Sequence, residues 1–233
     1  MFRFGRADER GGIRHGCTGR STPRPCVRTM CGRFAFGTRL EQALQDLNVQ
    51  TTIDPEPRWN IAPTDEHPML VLDDASLDVA LGRWGFTSNQ HPVKAPINAR
   101  VETVAEKPMF REAMRTGRMA APATGWYEWM ASPMGRHPYH HALASGGIMW
   151  LAGVLHPEGL QGFALLTQDA GSAVSHVHPR MPVVLTSEHV HAWLEDGTLP
   201  SSPPLIEAWP VGMDVNRTGN EGPHLAERIP TLF

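Results

Sequence analysis

The sequence predicts an α+β fold, mainly antiparallel sheet or open barrel with a few flanking helices, and three observations lead there. Beyond residue 117 the chain is a succession of short apolar segments punctuated by Gly and Pro, the pattern of strands and turns. Helical periodicity is confined to a few short stretches. The 233 residues include 41% hydrophobic and 19% charged side chains, which suits a folded core and excludes a disordered, collagenous or coiled-coil chain. A chain of this size buries roughly 70% of its unfolded surface, so it needs neither disulfide nor metal staples.

Residues 1–29 are rich in Gly, Arg, Ser and Pro without periodicity and read as a disordered extension or a mis-assigned start. Residues 30–233 read as a single domain. Thr38 and Glu41 form a capping box ahead of Leu40, Ala43, Leu44 and Leu47, whose spacing predicts a helix ending near Asn48. Segments 67–72 and 77–81 read as a hairpin around Asp73 and Asp74. Thr103 and Glu106 form a second capping box, before a short helix with Met109, Phe110, Ala113 and Met114 on its buried face and Gly117 at its end. Strands are expected over 120–129, 139–143, 148–155, 163–167 and 182–186. A last helix starts at Thr186 or Ser187 and stops at Gly197.

The net charge of −3 conceals an asymmetry, because residues 1–29 hold seven Arg against Asp8 and Glu9, leaving −8 for the rest. Nucleic-acid binding must then rest on a local basic patch and not on overall charge. Arg outnumbers Lys by 19 to 2, a bias that a GC-rich genome explains as well as phosphate recognition does. No run of eighteen apolar residues and no secretory signal is present, so the expected setting is cytoplasmic, without a membrane. Cys17, Cys26 and Cys31 all fall at the start, in spacings unlike zinc sites, which fits a reduced compartment. His176 and His178 form a His-x-His pair, but His189 and His191 would diverge on a helix. Neither metal nor cofactor is expected.

Cys31 is the nucleophile candidate, since a thiol is partly ionised near neutrality. Read alone, it is more readily a small buried residue, the commonest fate of a free cysteine. Its place after Met30 adds a second possibility. If the chain began at Cys31, a thiol and a free amine would sit on adjacent carbons, with ordinary pKa values of about 8.5 and about 7.7–8.0. An aldehyde would meet both: the amine forms an imine, and the thiol closes a thiazolidine ring on it. Polar residues in apolar surroundings point the same way. Asn98, Arg100 and Glu102 share one side of an extended segment, and Glu128 lies among Trp126, Tyr127 and Trp129, where low dielectric favours a neutral carboxyl fit for acid–base work.

Six motifs in order, MCGRF, RWNIAPT, RWGF, INARVET, GWYEW and HPRMPVVL, resemble the SOS response-associated peptidase (SRAP) family of abasic-site processing proteins. The resemblance runs from Met30 to Glu227 and includes the late WPVGMDVN. It implies a covalent sensor of abasic sites in single-stranded DNA. Cys31 would form the crosslink, Asn98 would position its reacting groups, Glu128 would act as general acid and base, and His178 would assist sugar ring opening. Arg33, Arg100 and Arg180 would contact phosphates, while Asn60, Pro63, Trp84 and Thr167 would line the groove. The protein would be a monomer, nucleoid-associated when bound to DNA.

The sequence departs from the family pattern in its 29 leading residues, in Pro179 and in a short polar 87–95 stretch. Two further readings remain open. One is a thiol peptidase or autopeptidase using Cys31, His178 and Asn98 or Glu128. The other is a noncatalytic single-strand binder.

Overall fold

In a computed structural model of the chain, residues 31–74, 76–86, 95–156 and 162–230 are described. The expectations for residues 1–29, with Cys17 and Cys26, and for most of 87–95 lie outside the described residues. One sheet contains β1 (Phe34–Phe36), β2 (Arg58–Ile61), β7 (Gly125–Ser132), β8 (Gly135–Leu143) and β13 (Ile206–Pro210), in the order β13-β8-β7-β1-β2. The other contains β3 (Glu66–Asp73), β4 (Ser76–Arg83), β5 (Asn98–Arg100), β6 (Arg118–Ala123), β9 (Met149–Leu155), β10 (Phe163–Asp169), β11 (Arg180–Pro182) and β12 (Val184–Leu185). Its order is β11-β10-β9-β6-β3-β4, with β12 on β9 and β5 parallel to β10. The remaining strand pairs are antiparallel, so the α+β expectation holds, as two open sheets.

The predicted hairpin forms in full register from Glu66 opposite Arg83 to Asp73 opposite Ser76. The segment expected as one strand over 120–129 divides at Thr124, and its halves join different sheets. The Thr124 N–H donates to the Ala35 carbonyl at 2.8 Å and its hydroxyl accepts from the Gly37 N–H at 3.1 Å, which turns the chain from β9 to β1. Gly125 follows because a Cβ there would lie 2.4 Å from the His140 ring and from the His141 carbonyl oxygen.

Both capping boxes give way to other starts. α1 (Leu40–Leu44) has Arg39 at its cap, while the Thr38 hydroxyl bonds the Gln42 side chain; a tight turn over 45–47 ends at Asn48 with φ 53°. Leu40, Ala43 and Leu44 are buried as expected. α2 (Pro108–Thr116) begins after a run of turns, since the fixed φ of Pro108 suits the first helical position. Phe110 and Ala113 are buried, but Met109 is exposed. α3 (Ser187–Asp196) follows Thr186 and ends on Gly197 at φ 84°.

Arg118 ties these last two helices to the sheet. Its guanidinium donates to the Met114 carbonyl at the end of α2 and to the Leu194 and Glu195 carbonyls at the end of α3, where helices leave acceptors unpaired. The buried Trp193 indole donates to the Met119 carbonyl at 2.9 Å. The main core gathers Phe34, Trp84, Trp126, Trp150, Phe163 and Trp193. A smaller one, around Tyr127, Val211, Val215 and Leu225, lies beneath a C-terminal strap over 211–229. Among the described residues no helix is long and apolar enough to cross a membrane.

Candidate active site

The site begins with the register of β1 on β7. Phe34 lies opposite Trp126 and the Tyr127 N–H donates to the Arg33 carbonyl, so the residues preceding β1 run beside Glu128. The Cys31 backbone N–H donates to Glu128 Oε1 at 2.6 Å. Asn98, opening β5, donates from Nδ2 to the Cys31 carbonyl at 3.4 Å. Cys31 has φ 36°, in the left-handed region that a side chain normally avoids, so its backbone is held in place by these surroundings.

Burial sets the protonation states. Cys31 and Glu128 are 1% and 2% exposed. Desolvation, and then the Glu128 charge, push the Cys31 thiol well above its ordinary value. Desolvation raises the Glu128 carboxyl to about 7, against the opposing pull of the Cys31 N–H and of Arg136. The carboxyl thus exchanges its proton near neutrality, while the thiol stays protonated.

His178 is buried in the loop before β11, and its Nδ1 lies 3.2 Å from the Arg180 N–H. It helps line a cleft of about 380 Å³ whose other wall carries Trp129, the neighbour of Glu128. His176 diverges from His178: it is exposed, with its ring set edge-on to Tyr139 at 6.2 Å.

The three arginines are in different states. Arg100 is exposed on β5. Arg33 donates to Asn60 Oδ1 at 2.9 Å and to the Val215 carbonyl at 2.8 Å, and desolvation lowers its pKa. Arg180 grips Glu102 through both terminal guanidinium nitrogens, Asp169 at 2.6 Å and the Thr167 carbonyl at 2.7 Å. Two carboxylates on one guanidinium leave this group net negative, so a phosphate reaching Arg180 must displace one of them. The alternation of INARVE hinted at Glu102; nothing local pointed to Asp169.

Asn60, Trp84 and Thr167, expected to line a groove, are at most 1% exposed, buried within the fold. Asn60 Nδ2 donates to the Val215, Arg217 and Asn220 carbonyls and so pins the strap. The Trp84 indole donates to the Ile97 carbonyl, and the Thr167 hydroxyl donates to the Ala99 carbonyl, which hold the segment carrying Asn98. Pro63 is half-buried after β2.

A buried cysteine ahead of the first strand, its nitrogen on a carboxyl raised to about 7, thus sits with arginines on the neighbouring elements in a fold of two mainly antiparallel sheets. Residues 30–218 match the SOS response associated peptidase (SRAP) family, and the chain belongs to that family. It is 29% identical over 223 residues to the abasic site processing protein YoqW of Bacillus subtilis, covering 85% of this chain and 99% of the relative. It is 28% identical over 222 residues to the abasic site processing protein YedK of Escherichia coli, covering 86% and 100%. A crystal structure of a Bacteroides thetaiotaomicron protein shares the fold with a TM-score of 0.70 at 20% identity, over 86% of this chain and 100% of that one.

Proposed function

We propose that the chain processes abasic sites in single-stranded DNA by forming a thiazolidine crosslink through Cys31 once residues 1–30 are gone. The observation that carries this reading is that the carboxyl addresses the nitrogen of Cys31, at 2.6 Å. That nitrogen becomes the α-amine when the preceding peptide bond is absent. The amine adds to the aldehyde carbon of the ring-opened sugar, giving a carbinolamine. Protonated Glu128 donates to the departing hydroxyl, water leaves and an imine forms. The thiol then adds across the carbon–nitrogen double bond, its proton passes to nitrogen, and the ring closes without any oxidant or reductant. A thiol that is protonated until it attacks suits that last step.

Asn98 holds the Cys31 carbonyl, and His178 assists opening of the sugar ring. Arg33 and Arg100 meet phosphates directly; Arg180 does so by exchanging Glu102 or Asp169 for the strand. Three arginines on an acidic domain give salt-sensitive affinity, so the covalent bond is what retains the lesion.

The same contact also favours self-processing, because a carboxylic acid 2.6 Å from the Cys31 nitrogen is placed to protonate the amine released when the preceding peptide bond breaks.

The test incubates a form beginning at Cys31 and a form retaining residues 1–30 with single-stranded DNA holding one abasic site, followed by denaturing electrophoresis and intact mass. The expected result is a heat-resistant adduct with the Cys31 form, lost in Cys31→Ala. No adduct from either form would overturn the proposal.

A further inference from the structure

The cleft beside His178 contains a cation that the chemistry above does not use. It lies between the β7–β8 hairpin, which supplies Trp129, Met130, Ala131 and Arg136, and the turn that carries Ser175, His176 and His178. Arg136 is exposed, and among the described residues its guanidinium has no ion pair or hydrogen bond. Arg180, by contrast, is already occupied by two carboxylates. The Trp129 ring is fixed, because its indole N–H donates to Asn216 Oδ1 at 2.7 Å. Arg136 is also the cation whose field reaches Glu128, which places it within electrostatic range of the reacting groups.

Resting on the proposed function, we infer that this cleft seats a phosphodiester of the strand next to the lesion, with Arg136 as its counter-charge. A sugar delivered to Cys31 and His178 brings its neighbouring phosphate over this wall. Arg136 is the cation there that can accept it without first releasing a carboxylate, and a phosphate joins in forks with a guanidinium.

The experiment measures binding of intact single-stranded DNA to the form beginning at Cys31 as salt is varied, for the unaltered protein, Arg136→Gln and Arg136→Lys. Each phosphate contact contributes about 0.7 to the slope of log affinity against log salt on single strands. Arg136→Gln is expected to lower the slope by about that amount and weaken binding by up to about fivefold, the range of an exposed ion pair; Arg136→Lys keeps the slope. A walk of single neutral methylphosphonate linkages around a tetrahydrofuran analogue of the abasic site, which has no aldehyde to crosslink, then locates the partner. At one linkage the unaltered protein and Arg136→Gln bind equally. Additive losses at every linkage, or an unchanged slope in Arg136→Gln, would overturn the subsite while leaving the proposed function in place. Failure of the unaltered protein to bind DNA at all would overturn both.

Discussion

Replacing Glu128 by Gln isolates the charge on which the proposed chemistry turns. Burial moves this carboxyl from 4.5 to about 7. At about 1.4 kcal/mol per pH unit, ionising it in the folded protein therefore costs about 3 kcal/mol more than in the unfolded chain. The sign follows from proton binding. Between those two values the folded state holds a proton that the unfolded state has lost, so stability from this group is complete below 4.5 and declines as pH rises through 7. Glu128→Gln cannot ionise and has no such decline. The difference in unfolding free energy between variant and parent should therefore shift in favour of the variant by about 3 kcal/mol between pH 4.5 and pH 9. Apart from Cys31, whose thiol also feels the Glu128 charge, every other titrating group is common to both proteins and cancels. Urea denaturation at half-unit pH intervals measures this difference. An orphaned amide N–H in the variant moves the whole curve by a constant and leaves its pH dependence intact. A difference that stays flat across pH would refute the desolvated carboxyl, and with it the source of its acid–base role. In the crosslinking assay the same variant should lose adduct formation.

Two further outcomes follow from buried polar groups. Asn60→Ala removes an amide that serves three strap carbonyls and the Arg33 guanidinium, so a loss of roughly 2–4 kcal/mol is expected. Hydrogen exchange should quicken over 213–220, and unaltered exchange there would contradict the strap's anchoring. The His140 ring is held at about 4 by desolvation, between Tyr127 and Trp209, with no hydrogen bond to either nitrogen among the described residues. Stability from its neutral form is complete above its ordinary value of 6.5 and is lost as pH falls through 4, about 3 kcal/mol in all. His140→Phe should be spared that share of acid destabilisation in denaturation curves taken at pH 7.5 and pH 4, whereas parallel losses would refute it.

Where the sequence was legible, the signal was local. The stripe of Leu40, Ala43 and Leu44, the 67–81 hairpin and the Thr186–Gly197 helix follow from periodicity and end residues that act on their own neighbours. The failures arise where a competing partner, near or distant, decides the outcome. Thr38 has a cap residue's chemistry but gives its hydroxyl to Gln42. The 120–129 segment has unbroken strand character, yet Ala35 and Gly37, some ninety positions away, dictate its break at Thr124. In the site, the aromatic setting of Glu128 announced an unusual carboxyl. That it faces the Cys31 nitrogen is set by strand register, which single-residue patterns do not contain. The strap was invisible for a further reason: Asn60 holds it through backbone carbonyls, which leave no mark on side-chain identity.

That strap has a consequence for the order of synthesis. Cys31 emerges from the ribosome 97 positions before Glu128, and Arg33 emerges 182 positions before the carbonyl of Val215 that fixes it. Contacts of such separation form late, after the cost of closing long loops has been met. Throughout most of translation the cysteine is therefore an ordinary exposed thiol, with neither its carboxyl nor its burial. The proposed reactivity belongs only to the finished chain, and closure of the 211–229 strap over the sheet sets the moment at which Arg33 locks into place.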